Sequence, residues 1–197
     1  MRFSELMRKV KKYIYKLIIA LCILAVGQTA LAYETVALNY PPNMGWHRTN
    51  YLVGKNEVIA QYTPAGQEAA NYQESVVYHS YKTKNLNGLN ATNVLKKKLV
   101  QVINNSKGLR MTPLVSTSTN AVYHWCADDV NGQGKQCEIV RVTASHEGFI
   151  MIHYINKNPA DFKEKFKEWL ERVEKAKTYY SYYRTDYVLN RQTYFEL

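Results

Sequence analysis

The chain has 197 residues, 46% of them hydrophobic, and its 26 Lys and Arg against 16 Asp and Glu give a formal net charge of +10. Residues 1–32 carry six of the basic groups, so beyond them Lys plus Arg falls to 20 and Asp plus Glu to 15, a net charge of +5 on 165 residues. Nucleic acid therefore loses its main compositional support as a partner, while 165 residues suffice for one domain with a real core.

Residues 1–32 read as an export signal. Arg2, Arg8, Lys9, Lys11, Lys12 and Lys16 form a basic opening, Leu17 to Gly27 an apolar run, and Ala30-Leu31-Ala32 a small-x-small cleavage pattern. Eleven apolar residues at about 1.5 Å each cover about half of a bilayer core, which favours a cleaved signal over a permanent span. An uncleaved anchor is the alternative. Cys22 follows Leu21, where a lipoprotein cysteine needs a small residue, so lipidation is rejected. The expected location is periplasmic or secreted, after export through the inner membrane. The expected division is a signal at 1–32, an α+β domain at 33–178 and a Tyr-rich tail at 179–197.

In chain order, TVALNY leads to the turn PPNMGW, and NYLVGKNEVIAQY reads as two short strands around Gly54-Lys55-Asn56. SVVYHSYK is the next strand. Residues 90–108 read as a helix capped by Asn90 or Thr92 and ended by Gly108. Leu95, Leu99, Val102 and Ile103 form its inner face, and Lys96, Lys97 and Lys98 fall mostly outward. Three strands then follow: LRMTPLVSTS and NAVYHWCA form one region around a turn or bend, KQCEIVRVTAS is the next and GFIMIHYIN the last, the last two joined tightly at His146-Glu147-Gly148. A second helix begins at Asn158-Pro159, with Phe162, Phe166, Trp169, Leu170 and Val173 on one stripe and alternating Lys and Glu outside. Each helix can cover one face of an antiparallel sheet, so the fold class is α+β, an antiparallel sheet flanked by helices in an α/β/α sandwich.

Cys126 and Cys137 flank ADDVNGQGKQ, a turn-rich stretch, and in an oxidising compartment they are expected to form a disulfide across the mouth of a β-hairpin. Two free buried thiols are the alternative. Zinc is disfavoured, because no CxxC or Cys/His spacing accompanies them.

Candidate chemistry is sparse. His79, His124 and His153 all fall on strands and are the candidates to share a sheet face as metal ligands, although strand histidines are more often satisfied by their neighbours. There is no HExxH and no GxSxG, Asp128 and Asp129 are adjacent loop residues, and GQGK lacks the remainder of a phosphate loop. No catalytic set, metal or cofactor is expected. In the polar insert Glu57–Ser75, Pro64 and Gly66 turn the chain, Gln67, Asn71 and Glu74 can satisfy loop amides, and Tyr72 can pin the loop. It reads as a structural corner.

The pattern Glu57-Val58-Ile59, Tyr62, Pro64, Gly66-Gln67, Asn71-Tyr72, Glu74 resembles the "EY.P.GQ…NW.E" signature of small exported bacterial proteins of the Mog1/PsbP-like α/β/α sandwich type, with Tyr72 in place of the usual Trp. The likeness spans most of residues 36–178. It implies a non-enzymatic exported domain, in some pathogens a secreted virulence-associated factor, and brings no catalytic residue with it.

The tail TYYSYYRTDYVLNRQTYFEL is read in two ways. Its helix continues and the tyrosines pack on the flank, or Tyr179, Tyr180, Tyr182, Tyr183 and Tyr187 form an aromatic patch for a partner. Three functions compete: an exported binding protein for an unknown protein, glycan or lipid; a histidine-dependent hydrolase; and a peripheral binder of anionic membranes through Lys96–Lys98, the second helix and interfacial tyrosines. The first is favoured, since the hydrolase lacks a nucleophile–base pair and the second helix is as acidic as it is basic.

Overall fold

Two hydrophobic periods alternate along the chain, and each becomes the element that its period requires. The computed structural model describes residues 32–83, 89–182 and 194–196, nearly all within one compact unit that includes Tyr33–Ser181. Its main sheet has seven strands, every neighbouring pair antiparallel. Numbered along the chain, their spatial order is β2 (His47–Val53), β3 (Glu57–Thr63), β4 (Glu74–Lys82), β10 (Gly148–Asn156), β9 (Gln136–Ala144), β7 (Asn120–Ala127) and β6 (Arg110–Ser116). The apolar segment GFIMIHYIN lies at the centre as β10, as a strand buried on both faces should. The edge strand β6 carries Pro113 and a bulge, both of which blunt a sheet edge.

Helix α1 (Ala91–Asn104) starts where the Asn90 side chain accepts from the Asn93 N–H at 2.8 Å. Its Ala91, Leu95 and Leu99 are buried on one sheet face, against Ala121, Trp125, Val140, Val142, Phe149 and Met151. Helix α2 (Pro159–Glu174) is capped by Asn158, with proline at its first position. It sets Phe162, Trp169 and Val173 on the opposite face, against Val122, Ile139, Ile150, Ile152 and Tyr154. The Tyr154 and Trp169 rings stack 4.1 Å apart, 10° from parallel. One helix per face makes an α/β/α sandwich.

Three differences from the sequence reading follow. Ile103, expected inside, is half exposed. The second helix does not run on into the tyrosines: the Lys175 N–H bonds back to Glu171, and the chain leaves as β11 (Lys177–Tyr182). That strand joins β1 (Ala32–Ala37) and β12 (Tyr194–Glu196) in a separate three-stranded sheet, so position 178 falls within a strand. A two-strand ladder of β5 (Ser106–Lys107) and β8 (Asp129–Val130) also ties the end of α1 to the turn of the β7–β9 hairpin.

Cys126 and Cys137 are direct partners across the β7–β9 ladder and form a disulfide. The loop it closes is held by Asp129, whose carboxylate accepts from the Gly132 and Gly134 N–H groups at 3.1 and 2.8 Å.

Candidate functional site

The insert after β3 folds on itself. Thr63 Oγ1 donates to the Gln67 carbonyl at 2.8 Å, and Gln67 Oε1 accepts from the Gln73 and Glu74 N–H groups at 2.7 and 3.1 Å. Pro64 is buried, while Gly66 takes a φ of +79°, the left-handed region glycine favours. Gln61 donates to Ser75 Oγ, which in turn donates to the Tyr62 carbonyl. Tyr62 stacks between Tyr40 and Tyr78. Of the three polar side chains expected to satisfy loop amides, Gln67 does so. Asn71 engages Glu68 through its own N–H, and the buried Glu74 carboxylate turns inward to Lys165. Tyr72 is half-buried beneath Lys157, whose Nζ lies 4.3 Å from the ring centroid, and burial together with Glu138 raises its phenol pKa.

The histidines do not converge as a trio. Directly paired residues share a sheet face and successive residues alternate. His79 pairs with Met151, and His153 lies two residues further along β10, so both lie on the α1 side. His153 pairs with Val140, and Val140 with Tyr123, which places His124 on the α2 side. There its ring meets Phe166 edge-on at 5.0 Å, and burial lowers its pKa. Among the described residues, no group of three or more His, Cys, Asp or Glu is placed to hold a metal ion.

A different constellation takes its place. Glu57, His79, His153 and Glu138 run diagonally across β3, β4, β10 and β9 on the α1 face. His79 Nε2 meets Glu57 at 2.8 Å, and His153 Nδ1 meets the buried Glu138 carboxylate. The His79 ring lies against that of Tyr81, with centroids 3.7 Å apart and planes tilted by 33°. Burial, seconded by Lys98 and His153, outweighs Glu57 and lowers the His79 pKa. A carboxylate orienting an imidazole is half of a nucleophilic site. Neither ring is hydrogen-bonded to a hydroxyl or thiol among the described residues.

Tyr179, on β11, lines an open groove with Leu38 of the segment after β1 and Glu168, Arg172, Lys175 and Lys177 from the end of α2 and the start of β11. Arg172 bonds to the Asn39 carbonyl at its wall. Tyr180 and Tyr182 lie on the same strand, and Tyr183 and Tyr187 fall outside the described residues. The sequence reading missed this groove because β1 and α2 are more than a hundred residues apart. It also missed Glu34, whose buried carboxylate accepts from the His146 and Glu147 N–H groups at 2.8 and 3.1 Å.

The fold and site together define an α/β/α sandwich with a polar row on one sheet face and a groove beside the last helix. No known family profile and no curated protein matches the chain. Among solved structures it is similar to the Ran-binding protein Mog1p of Saccharomyces cerevisiae, at 10% identity over 75% of this chain and 95% of that one, TM-score 0.45. It is also similar to the cyanobacterial PsbP (CyanoP) of Synechocystis sp. PCC 6803, at 10% identity over 75% and 94%, TM-score 0.42. Likenesses this distant do not bear on what the chain binds.

Proposed function

We propose that the chain is an exported, non-enzymatic binding protein that takes a protein partner at the groove beside Tyr179. The observation that carries this reading is the groove's lining, in which Tyr179 and Arg172 stand among two carboxylates, Glu168 and Glu171, and two further cations, Lys175 and Lys177. Tyr and Arg are the residue types that supply most interface energy, and charges of both signs select a complementary surface. The Cys126–Cys137 disulfide supports an oxidising, exported setting. The hydrolase reading rests on the His153–Glu138 pair and lacks a nucleophile beside it.

The test is capture of partners from envelope extracts by the full chain and by Tyr179→Ala and Lys177→Glu variants. Truncation after Lys177 is a poor test, because it strips β11 from β1. Loss of the same proteins from both variants, at unchanged melting temperature, is expected. Equal capture by wild type and both variants would count against the groove.

A further inference from the structure

A long acid-free stretch of sequence contains α1. Between Ser75 and Ala127 there is no Asp or Glu, while Lys and Arg number seven. Over the rest of residues 33–197, acids outnumber bases 15 to 13. The whole positive excess beyond residue 32 therefore lies in the stretch that contains α1.

The two helices treat their cations differently. On α2, Lys165 pairs with Asp161, Arg172 with Glu168 and Lys175 with Glu171, each one turn apart. On α1 there is no acid, and the exposed Lys96 and Lys97 make no ion pair among the described residues. They are also mid-helix, where they gain nothing from the dipole of the last turn. Beside them stand two aliphatic side chains left in water, Val100 at 53% and Ile103 at 50% exposure. About 100° per residue places Lys96 between Ile103 and Val100, with Lys97 beyond Val100, on the surface opposite Leu95. The rest of the outward face is Asn and Gln.

We propose that this outward face of α1 docks on an anionic lipid surface, with Lys96 and Lys97 at the headgroups and Val100 and Ile103 entering the interface. Charge complementarity requires an anionic occupant. A protein partner is disfavoured because the face is convex and carries no aromatic and no arginine, the anchors that protein interfaces draw on. Two aliphatics flanked by lysines without acids are what an interfacial helix presents to a bilayer. The surface is separate from the Tyr179 groove, so either assignment can fail without the other.

The test uses the full chain and flotation with vesicles of phosphatidylcholine containing phosphatidylglycerol, against phosphatidylcholine alone. Each lysine at an anionic surface is worth about a five-fold gain in partitioning, so Lys96→Glu/Lys97→Glu should weaken binding to the anionic vesicles by about 25-fold or more. Val100→Ser/Ile103→Ser should weaken it by about ten-fold. Lys163→Glu/Lys167→Glu on α2, an equal change in net charge, should stay within about two-fold of wild type. Unchanged melting temperatures establish that the variants fold. The proposal is overturned if wild type ignores anionic vesicles, or if the α2 control weakens as much as the α1 variant. It is equally overturned if the α1 substitutions change nothing, which would assign lipid binding to another part of the chain such as residues 1–32.

Discussion

Arg141, on β9, donates from Nη1 to the backbone carbonyl of Val173 in α2 at 2.9 Å. The same nitrogen reaches the Glu174 and Ala176 carbonyls at 2.9 and 3.2 Å, and Nε donates to Asn120 Oδ1 at 2.9 Å. The last carbonyls of a helix have no partner within it, and a cation there also meets the negative end of the dipole. One guanidinium thus stops α2 and fastens it to the sheet, at a desolvation cost that lowers its own pKa. Replacing Arg141 with Met strands those carbonyls and should cost about 2–4 kcal/mol in urea unfolding. Lys, with a point charge instead of a planar fork, should recover less than half of that. A loss below about 0.5 kcal/mol for Arg141→Met would contradict the role.

Stability should fall as the solution is acidified through the histidine range. Burial lowers the folded-state pKa of both His79 and His124 below the ordinary 6.5. Around His79, Glu57 opposes that shift, while Lys98 and His153 add to it. Above 6.5 both states are neutral at these sites and no difference arises. Below it the unfolded chain takes up protons first, so stability is lost as pH drops from 6.5 towards the depressed folded values. Melting temperatures should therefore decline from pH 7.5 to pH 5.5, and His124→Gln should flatten the decline. A slope unchanged by that substitution would exclude His124 as a contributor.

The fold was legible in the sequence where one period ran uninterrupted. Phe162, Phe166, Trp169, Leu170 and Val173 mark a stripe, and Phe162, Trp169 and Val173 of it are buried. Ile103 misled because four residues advance about 400° around a helix, so each step from Leu95 to Leu99 to Ile103 drifts about 40° off the buried face. Val102 stays nearer to it and is half-buried. The tyrosine segment has no glycine or proline to stop a helix, yet its aromatic content suits a strand, and the pairing with β1 decides the matter. The Glu57–His79–His153–Glu138 row could not be read from the chain. It depends on the register of four strands, and a slip of one residue in any of them would send its member to the other face.

Gly148 opens β10 opposite Lys82, and a Cβ built there would lie 1.9 Å from the Tyr81 carbonyl oxygen. That oxygen belongs to a paired central strand and cannot withdraw. Gly148→Ala should therefore cost about 2–4 kcal/mol, the range for a core forced apart. Gly66 is the useful contrast. Its φ is positive, but nothing lies within 4 Å of an added Cβ, so Gly66→Ala meets only backbone strain, about 1 kcal/mol. Equal losses at the two positions, in parallel denaturant titrations, would show that close approach is not what requires glycine at 148.

The disulfide joins register partners at the mouth of a hairpin, with a sequence separation of 11. Cys137 is fully buried and packs in the α2-side core, whereas Cys126 is only partly covered, so Cys126→Ser removes the bridge with little change in packing. Loss of a loop-closing bridge of this length should lower stability by about 2–4 kcal/mol, chiefly by releasing the unfolded chain. Because the strands are already paired on both sides of the hairpin, the native ladder should survive and the loss should appear in the unfolding midpoint. Wild type measured with reductant should then coincide with Cys126→Ser, and reductant should leave the variant unmoved. A midpoint for Cys126→Ser equal to that of oxidised wild type would mean that the two thiols are not bridged in the purified protein.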